Sequence, residues 1–187
     1  MVRFNKKPAK GKFLVSEPFL EDPNFKRSVI LLSEHNDEGT VGFILNKPVD
    51  AMINDAITDF PPFDSNIYFG GPVQTDTLHY IHVIGEKLPE SKKIMNGIYW
   101  GGDFDILKLM IEAGQVKPSD IRFYVGYSGW GSAQLAKEIK EQSWILAPGN
   151  KQFTFSGNYK SLWRDVLKSM GKEYSILSNF PEDPSLN

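Results

Sequence analysis

In VGYSGWGSAQLAKEI, Val125 to Ile139, Ser128 follows Gly126-Tyr127 in a pattern close to the nucleophile elbow Gly-x-Ser-x-Gly, in which a serine on a sharp strand-to-helix turn attacks a carbonyl carbon. Trp130 stands where that elbow needs its last glycine. The three histidines, His35, His79 and His82, all precede the serine, whereas the elbow's fold places its histidine after it. Ser128 is therefore read as part of a tight strand-to-helix turn with Trp130 packed in the core. The turn itself, Gly126-x-x-Gly129-Trp130-Gly131, is expected to aim the amides of the next helix's first turn at one spot, an arrangement suited to an anion.

A second group, Arg27, Asn46 and Lys47, falls at strand ends, where a guanidinium and an amide can hold a carboxylate or phosphate. The competing reading pairs Arg27 with Asp22 across the preceding turn. Glu34-His35 has the types of an acid–base pair, but adjacent residues rarely aim at one point, and turn-stabilising roles are expected. His79 and His82, three apart in a strand-like run, point to opposite faces and make a poor metal pair. Lys160, Arg164 and Lys168 recur every fourth residue and form a basic ridge on the last predicted helix, read as a solvated flank.

The elements that position these groups follow from periodicity and turn residues. Phe13 to Glu17, Arg27 to Glu34 and Thr40 to Asn46 read as strands, the second apolar on both faces and hence central, with Lys47-Pro48 ending the third. If the last two pair so that residue numbers sum near 75, Arg27 and Asn46 share one end of the hairpin. Glu34 and His35 then lie roughly 23 to 26 Å away at the other end. Further strands are expected at Ile67 to Phe69, Leu78 to Ile84, Ile98 to Trp100, Ile121 to Val125 and Trp144 to Ala147, with an edge at Phe153 to Phe155. Helices are expected near Met52 to Ile57, from the N-cap Asp103 to Gly114, after the glycine turn, and from Asn158 to Gly171. Glu86 to Asn96 reads as loop. Strands outnumber helices without alternating with them, which gives an α+β class with a mixed or antiparallel sheet.

The 187 residues suit a single domain, taken as 13–178 behind a flexible basic arm at 1–12 and before a surface tail at 179–187. With 21 basic and 23 acidic side chains the net charge is −2, which argues against whole-molecule attraction to nucleic acid or an anionic membrane. The absence of cysteine removes thiol catalysis and thiolate metal sites from this chain. No apolar run has the length of a signal peptide core or a membrane span, so a cytoplasmic protein is expected.

Taken together, Glu21-Asp22-Pro23-x-Phe25-x-Arg27-Ser28-Val29, Glu34-His35, Gly42-x-x-x-Asn46-Lys47-Pro48, Gly70-Gly71-Pro72-Val73 and Gly126-Tyr127-x-Gly129-Trp130-Gly131-x-x-Gln134-Leu135 resemble the AlgH/YqgE family of small bacterial proteins. The match covers residues 11 to about 147, the C-terminal forty residues matching weakly. The resemblance implies a single domain with a sheet curled toward a pseudo-barrel and helices around it. Its label of transcriptional regulator is not a described mechanism. Members often carry alanine where Ser128 stands, which weakens the nucleophile reading further. Lys47, where arginine is common, keeps the charge and loses the bidentate fork.

The first functional expectation is a non-enzymatic binding or regulatory protein acting through protein or small-molecule contacts, with no cofactor or metal called for. A second is a small-anion receptor or enzyme whose pocket joins Arg27, Asn46 and Lys47 to Gly129, Trp130 and Gly131. A third, direct nucleic-acid binding through the arm and last helix, is disfavoured by the charge balance.

Overall fold

The computed structural model describes residues 7–182. Arg3 and Lys6 of the expected basic arm, and residues 183–187 of the expected tail, lie outside the described residues. Ten strands follow in order: β1 (Lys12–Ser16), β2 (Val29–Asn36), β3 (Gly39–Ile44), β4 (Pro48–Met52), β5 (Asn66–Phe69), β6 (Val73–His82), β7 (Lys92–Met95), β8 (Ile98–Trp100), β9 (Ile121–Gly131) and β10 (Trp144–Pro148). Six helices join them: α1 (Ile53–Ala56), α2 (Phe104–Glu112), α3 (Gln134–Lys140), α4 (Lys151–Thr154), α5 (Leu162–Ser169) and α6 (Lys172–Leu177).

The strands form one open sheet, ordered β10-β1-β2-β3-β9-β6-β8-β7, with β5 paired to β9 and to β4. Every pairing is antiparallel except β5 with β9, so the sheet is mixed and the class is α+β. It curls until Met95 on β7 reaches Gly11 and Gly149 near the opposite edge, without hydrogen bonds closing it. A Cβ on Gly149 would sit 1.9 Å from the Gly11 carbonyl, so this approach depends on glycine.

Three apolar clusters result. Phe13, Val15, Val29, Leu31, Phe43 and Tyr124 fill the concave side, capped by Trp163, Val166 and Leu167 of α5. Leu14, Ile30, Leu32 and Ile44 face the other way, against Trp130, Leu135 of α3 and Trp144. Phe60, Phe63, Ile121 and Phe123 pack under Leu107 and Ile111 of α2. The alternation of Ile30 and Leu32 with Val29 and Leu31 thus serves two cores from one central strand.

The β2–β3 ladder sums to 75 from Glu34↔Val41 to Asn36↔Gly39 and to 74 from Ile30↔Ile44 to Leu32↔Gly42, the step being a bulge between Leu32 and Glu34. Several expectations need correction. The strand before the glycines continues through all of them to Gly131, because Gly129, Trp130 and Gly131 pair with Val41, Thr40 and Gly39. The third strand stops at Ile44, ahead of Lys47-Pro48, and Pro48 then opens β4, where a missing N–H is tolerated at the first position. Glu86 to Asn96 contains β7. Phe153 to Phe155 is mostly helix, since the Asn150 side chain caps α4 by accepting from the Phe153 amide at 2.8 Å. The last predicted helix is split: α5 begins after Ser161 rather than Asn158, and Gly171 at φ 112° separates it from an unexpected α6.

Candidate functional site

Arg27, Asn46 and Lys47 line one cleft of about 580 Å³ together with Lys26, Trp163 and Glu182. Lys160 and Arg164 of the basic ridge line the same cleft. The hairpin end and the last long helix, read separately in sequence, therefore meet. Among the described residues five cationic side chains border this space, and Glu182 is the one carboxylate with them.

The inner cations are held tightly. Arg27 lies over the Trp163 ring at 4.0 Å, and its Nη2 donates to the carbonyls of Phe180 at 2.8 Å and Pro181 at 2.6 Å. It does not pair with Asp22, whose side chain instead accepts from the Asn24 amide. Nε and Nη1 of Arg27 are buried with no acceptor among the described residues. Arg27 also has φ 53°, a left-handed conformation forced by the tight turn whose Phe25 and Lys26 amides both donate to the Asp22 carbonyl. The Asn46 side chain accepts from the Val29 amide at 3.0 Å and donates to the Arg27 carbonyl at 2.8 Å, so it replaces ladder partners where the hairpin opens. Lys47 Nζ donates to the carbonyls of Pro23 and Asn24. Burial lowers the pKa of both Arg27 and Lys47, Glu182 partly offsetting this for Arg27. Lys26, Lys160 and Arg164 are exposed and face solvent at the rim.

Gly129, Trp130 and Gly131 do not line this cleft. Their backbone is engaged with β3, and the Gly131 amide donates to Gln134 Oε1 at 3.0 Å. The turn into α3 comes later, through Ala133 at φ 62°. Trp130 is buried, and its indole N–H donates to Glu138 Oε2 at 2.9 Å, which also accepts from the Trp144 indole at 2.8 Å. Gln134 Nε2 donates to Glu138 Oε1, and the Phe25 ring stands edge-on to Trp144. The motif is thus a clasp tying α3 to β9 and β10. Sequence reading missed its centre, Glu138; the signal was the four-residue step from Gln134 on one helix face.

Ser128 is fully buried and donates to the Gly70 carbonyl at 3.0 Å, with no histidine contacting it. His79 packs against Phe43 and Tyr127, whereas His82 stacks on Tyr99, so the two do not share a site. His35 Nδ1 meets Thr40 Oγ1 at 2.7 Å, and Asn36 Oδ1 accepts from the Glu38 and Gly39 amides, which makes this a hairpin turn. Arg122 of β9, not singled out from sequence, is buried. Its guanidinium donates to the carbonyls of Leu45, Thr154 and Ser156 and lies over Tyr68 at 4.4 Å. A lone arginine in an apolar strand was the available clue. Among the described residues no group of three or more histidine, aspartate or glutamate side chains is placed to hold a metal, and no helix is long and apolar enough to cross a membrane.

Comparison with known proteins places this geometry in context. The family model described as AlgH-like matches residues 13–175, well past residue 147 and through α5. A UPF0301 protein of Cytophaga hutchinsonii is 46% identical over 179 residues, covering 95% of this chain and 98% of its own. One from Chlorobium luteolum is 41% identical over 97% of this chain and 96% of its own. Among solved structures, a Corynebacterium diphtheriae protein superposes with a TM-score of 0.79 at 26% identity, covering 96% of this chain and 95% of its own. The AlgH protein of Pseudomonas aeruginosa does so at 0.74 and 27%, covering 97% and 98%. With the fold, the ordered motifs and the near-complete coverage in agreement, this chain belongs to the AlgH-like family.

Proposed function

We propose that the protein is a cytoplasmic, non-enzymatic binding protein whose cleft between the β2–β3 hairpin and α5 recognises an anionic ligand. One observation carries this reading: Lys26, Arg27, Lys47, Lys160 and Arg164, drawn from three distant segments, converge on one concavity against a single carboxylate among the described residues. In a chain of net charge −2, such a local concentration of positive charge focuses a field that the whole molecule lacks. Binding is favoured over reaction because the candidate nucleophile Ser128 is buried against a carbonyl, and the inner arginine and amide are engaged in hydrogen bonds to backbone.

A thermal-shift titration with pyrophosphate and citrate tests the proposal. Ligand at 100 times its dissociation constant adds about 2.7 kcal/mol, or roughly 5 to 11 °C for a chain of this size. The shift is expected in the native protein and is expected to shrink in a Lys160→Ala/Arg164→Ala variant. An equal shift in both proteins, or none in either, would refute the anion site.

A further inference from the structure

One wall of the cleft comes from the segment after α6, through Glu182. Phe180, Pro181 and Glu182, which follow α6, return across the molecule to Arg27, although 153 residues separate Arg27 from Phe180. Phe180 packs on Phe19 with ring centroids 5.3 Å apart. The consecutive carbonyls of Phe180 and Pro181 both accept from one Arg27 nitrogen, and Glu182 lines the cationic space beyond. These contacts read three features of an extended chain: an aromatic ring, main-chain acceptors and a carboxylate. Proline suits the middle position, since the Arg27 wall presents only donors and Pro181 brings no N–H that would need an acceptor there.

This seat is incompletely satisfied. No ion pair joins Glu182 to the cations around it among the described residues, and Nε and Nη1 of Arg27 remain buried without acceptors. Buried donors without partners are costly, so a better acceptor set would be gained by exchanging this segment for another. Phe19 is 45% exposed even with Phe180 against it, which leaves room for a larger apolar contact.

Resting on the anion-site reading above, we propose that the cleft and the adjoining seat of Phe180–Glu182 on Arg27 and Phe19 form one peptide groove, filled in part in cis by that segment. Its partner in trans is an extended acidic protein segment with an aromatic residue and a proline beside its acidic residues, which binds by displacing this strap. Among the described residues five lining cations face one carboxylate with the strap in place, which favours an incoming segment of higher negative charge.

A fluorescently labelled peptide of residues 176–187 of this sequence, added to the full-length protein, supplies the test. Binding is monitored by anisotropy to the native chain and to a Phe180→Ala/Glu182→Gln variant, with hydrogen exchange of residues 178–182 followed in parallel. Weakening the strap raises the fraction of open groove, so the variant is expected to bind the peptide about tenfold more tightly than the native chain. Arg164→Ala is expected to weaken that binding, and saturating peptide is expected to speed exchange at residues 178–182 of the native chain. Equal binding to native and variant proteins, with exchange unchanged, would overturn the strap. A pyrophosphate shift that depends on Arg164, in a protein that binds no peptide, would overturn the peptide groove and leave the anion site standing. Failure of both ligands would remove both readings. Melting curves of the variant alone, and the native-chain exchange measurement, keep the test decisive if the substitutions weaken folding.

Discussion

Glu138 shows how one side chain can carry the meaning of a motif written elsewhere in the chain. Its Oε2 accepts from two indole N–H groups whose rings are buried, and truncating it leaves both donors without a partner. Hydrogen bonds to a charged group contribute about 1.5 to 3 kcal/mol each, and the pair is not additive. Glu138→Ala is expected to lower stability by about 2 to 4 kcal/mol in urea denaturation, and Glu138→Gln by less, since its amide oxygen can still accept from both indoles although the charge is lost. Equal losses would show that a neutral acceptor cannot replace the carboxylate. Arg27 has a backbone role as well as a side-chain one. Arg27→Ala loses the ring contact and two hydrogen bonds, whereas Arg27→Gly loses the same groups but relieves the positive φ. Glycine there is therefore expected to be more stable than alanine by about 1 kcal/mol. At this scale the sequence disclosed residue types but not their partners. Arg27, Asn46 and Lys47 were read as a group at one hairpin end and line one cleft, yet the carbonyls they hold belong to residues 23–24, to Arg27 itself and to 180–181, and only folding brings the last pair near.

Among the elements, β9 explains both what was legible and what was not. Its first half, a largely apolar run ending at Val125, read as a strand. Its second half looked like a turn because glycine so often marks one, but here the glycines permit backbones to cross. A Cβ on Gly126, at φ 66°, would lie 2.4 Å from the Gly71 carbonyl, and one on Gly70 would lie 2.3 Å from the Gly126 carbonyl. The β6–β9 register shifts at the same place, between Val73 and Leu78. Gly126→Ala is expected to cost more than about 2 kcal/mol, combining the left-handed penalty with a backbone clash, and to lower the melting temperature by several degrees. A near-neutral result would mean that the crossing can relax. Periodicity similarly missed α6, whose six residues are too few to establish a face, and placed α4 as an edge strand because three residues of Phe-Thr-Phe alternate as a strand would.

For the molecule as a whole, stability should depend on pH through histidine. His82 is fully buried, accepts from the Ile84 amide at Nδ1 and so carries its proton on Nε2, which donates to the Gly101 carbonyl at 2.7 Å. Burial lowers its pKa, and burial lowers that of His79 too. A folded-state pKa below the unfolded value of about 6.5 means that the unfolded chain binds the proton more readily. The stabilising contribution is therefore complete above about pH 6.5 and is lost as the pH falls toward the folded-state values, at up to about 1.4 kcal/mol per pH unit for each histidine. Chemical denaturation between pH 7 and pH 5 should show this slope, and His82→Leu should flatten it while lowering stability at pH 7, because the Ile84 N–H loses its acceptor and the Gly101 C=O keeps only the longer bond from Ser91 Oγ at 3.4 Å. An unchanged slope would assign the effect to other groups. The class, the α+β order and the central hairpin were readable from composition and periodicity. The curl was implied by the family resemblance alone, and the open edges and the cleft were not readable, because they depend on pairings such as β1 with β10 that no local pattern encodes.

That last pairing has a consequence in time. Ser16 lies opposite Trp144, and β10 is the strand that covers the outer side of β1. On a ribosome adding about 5 to 20 residues per second, β1 and β2 wait on the order of ten seconds before that cover is synthesised. During this interval an apolar strand with an unpaired edge is available to other nascent chains. Nascent chains stalled before residue 144 should accordingly be protease-sensitive and prone to aggregate, whereas chains released after residue 175 should not. Equal protease resistance at both lengths would show that β1 finds shelter before its partner exists.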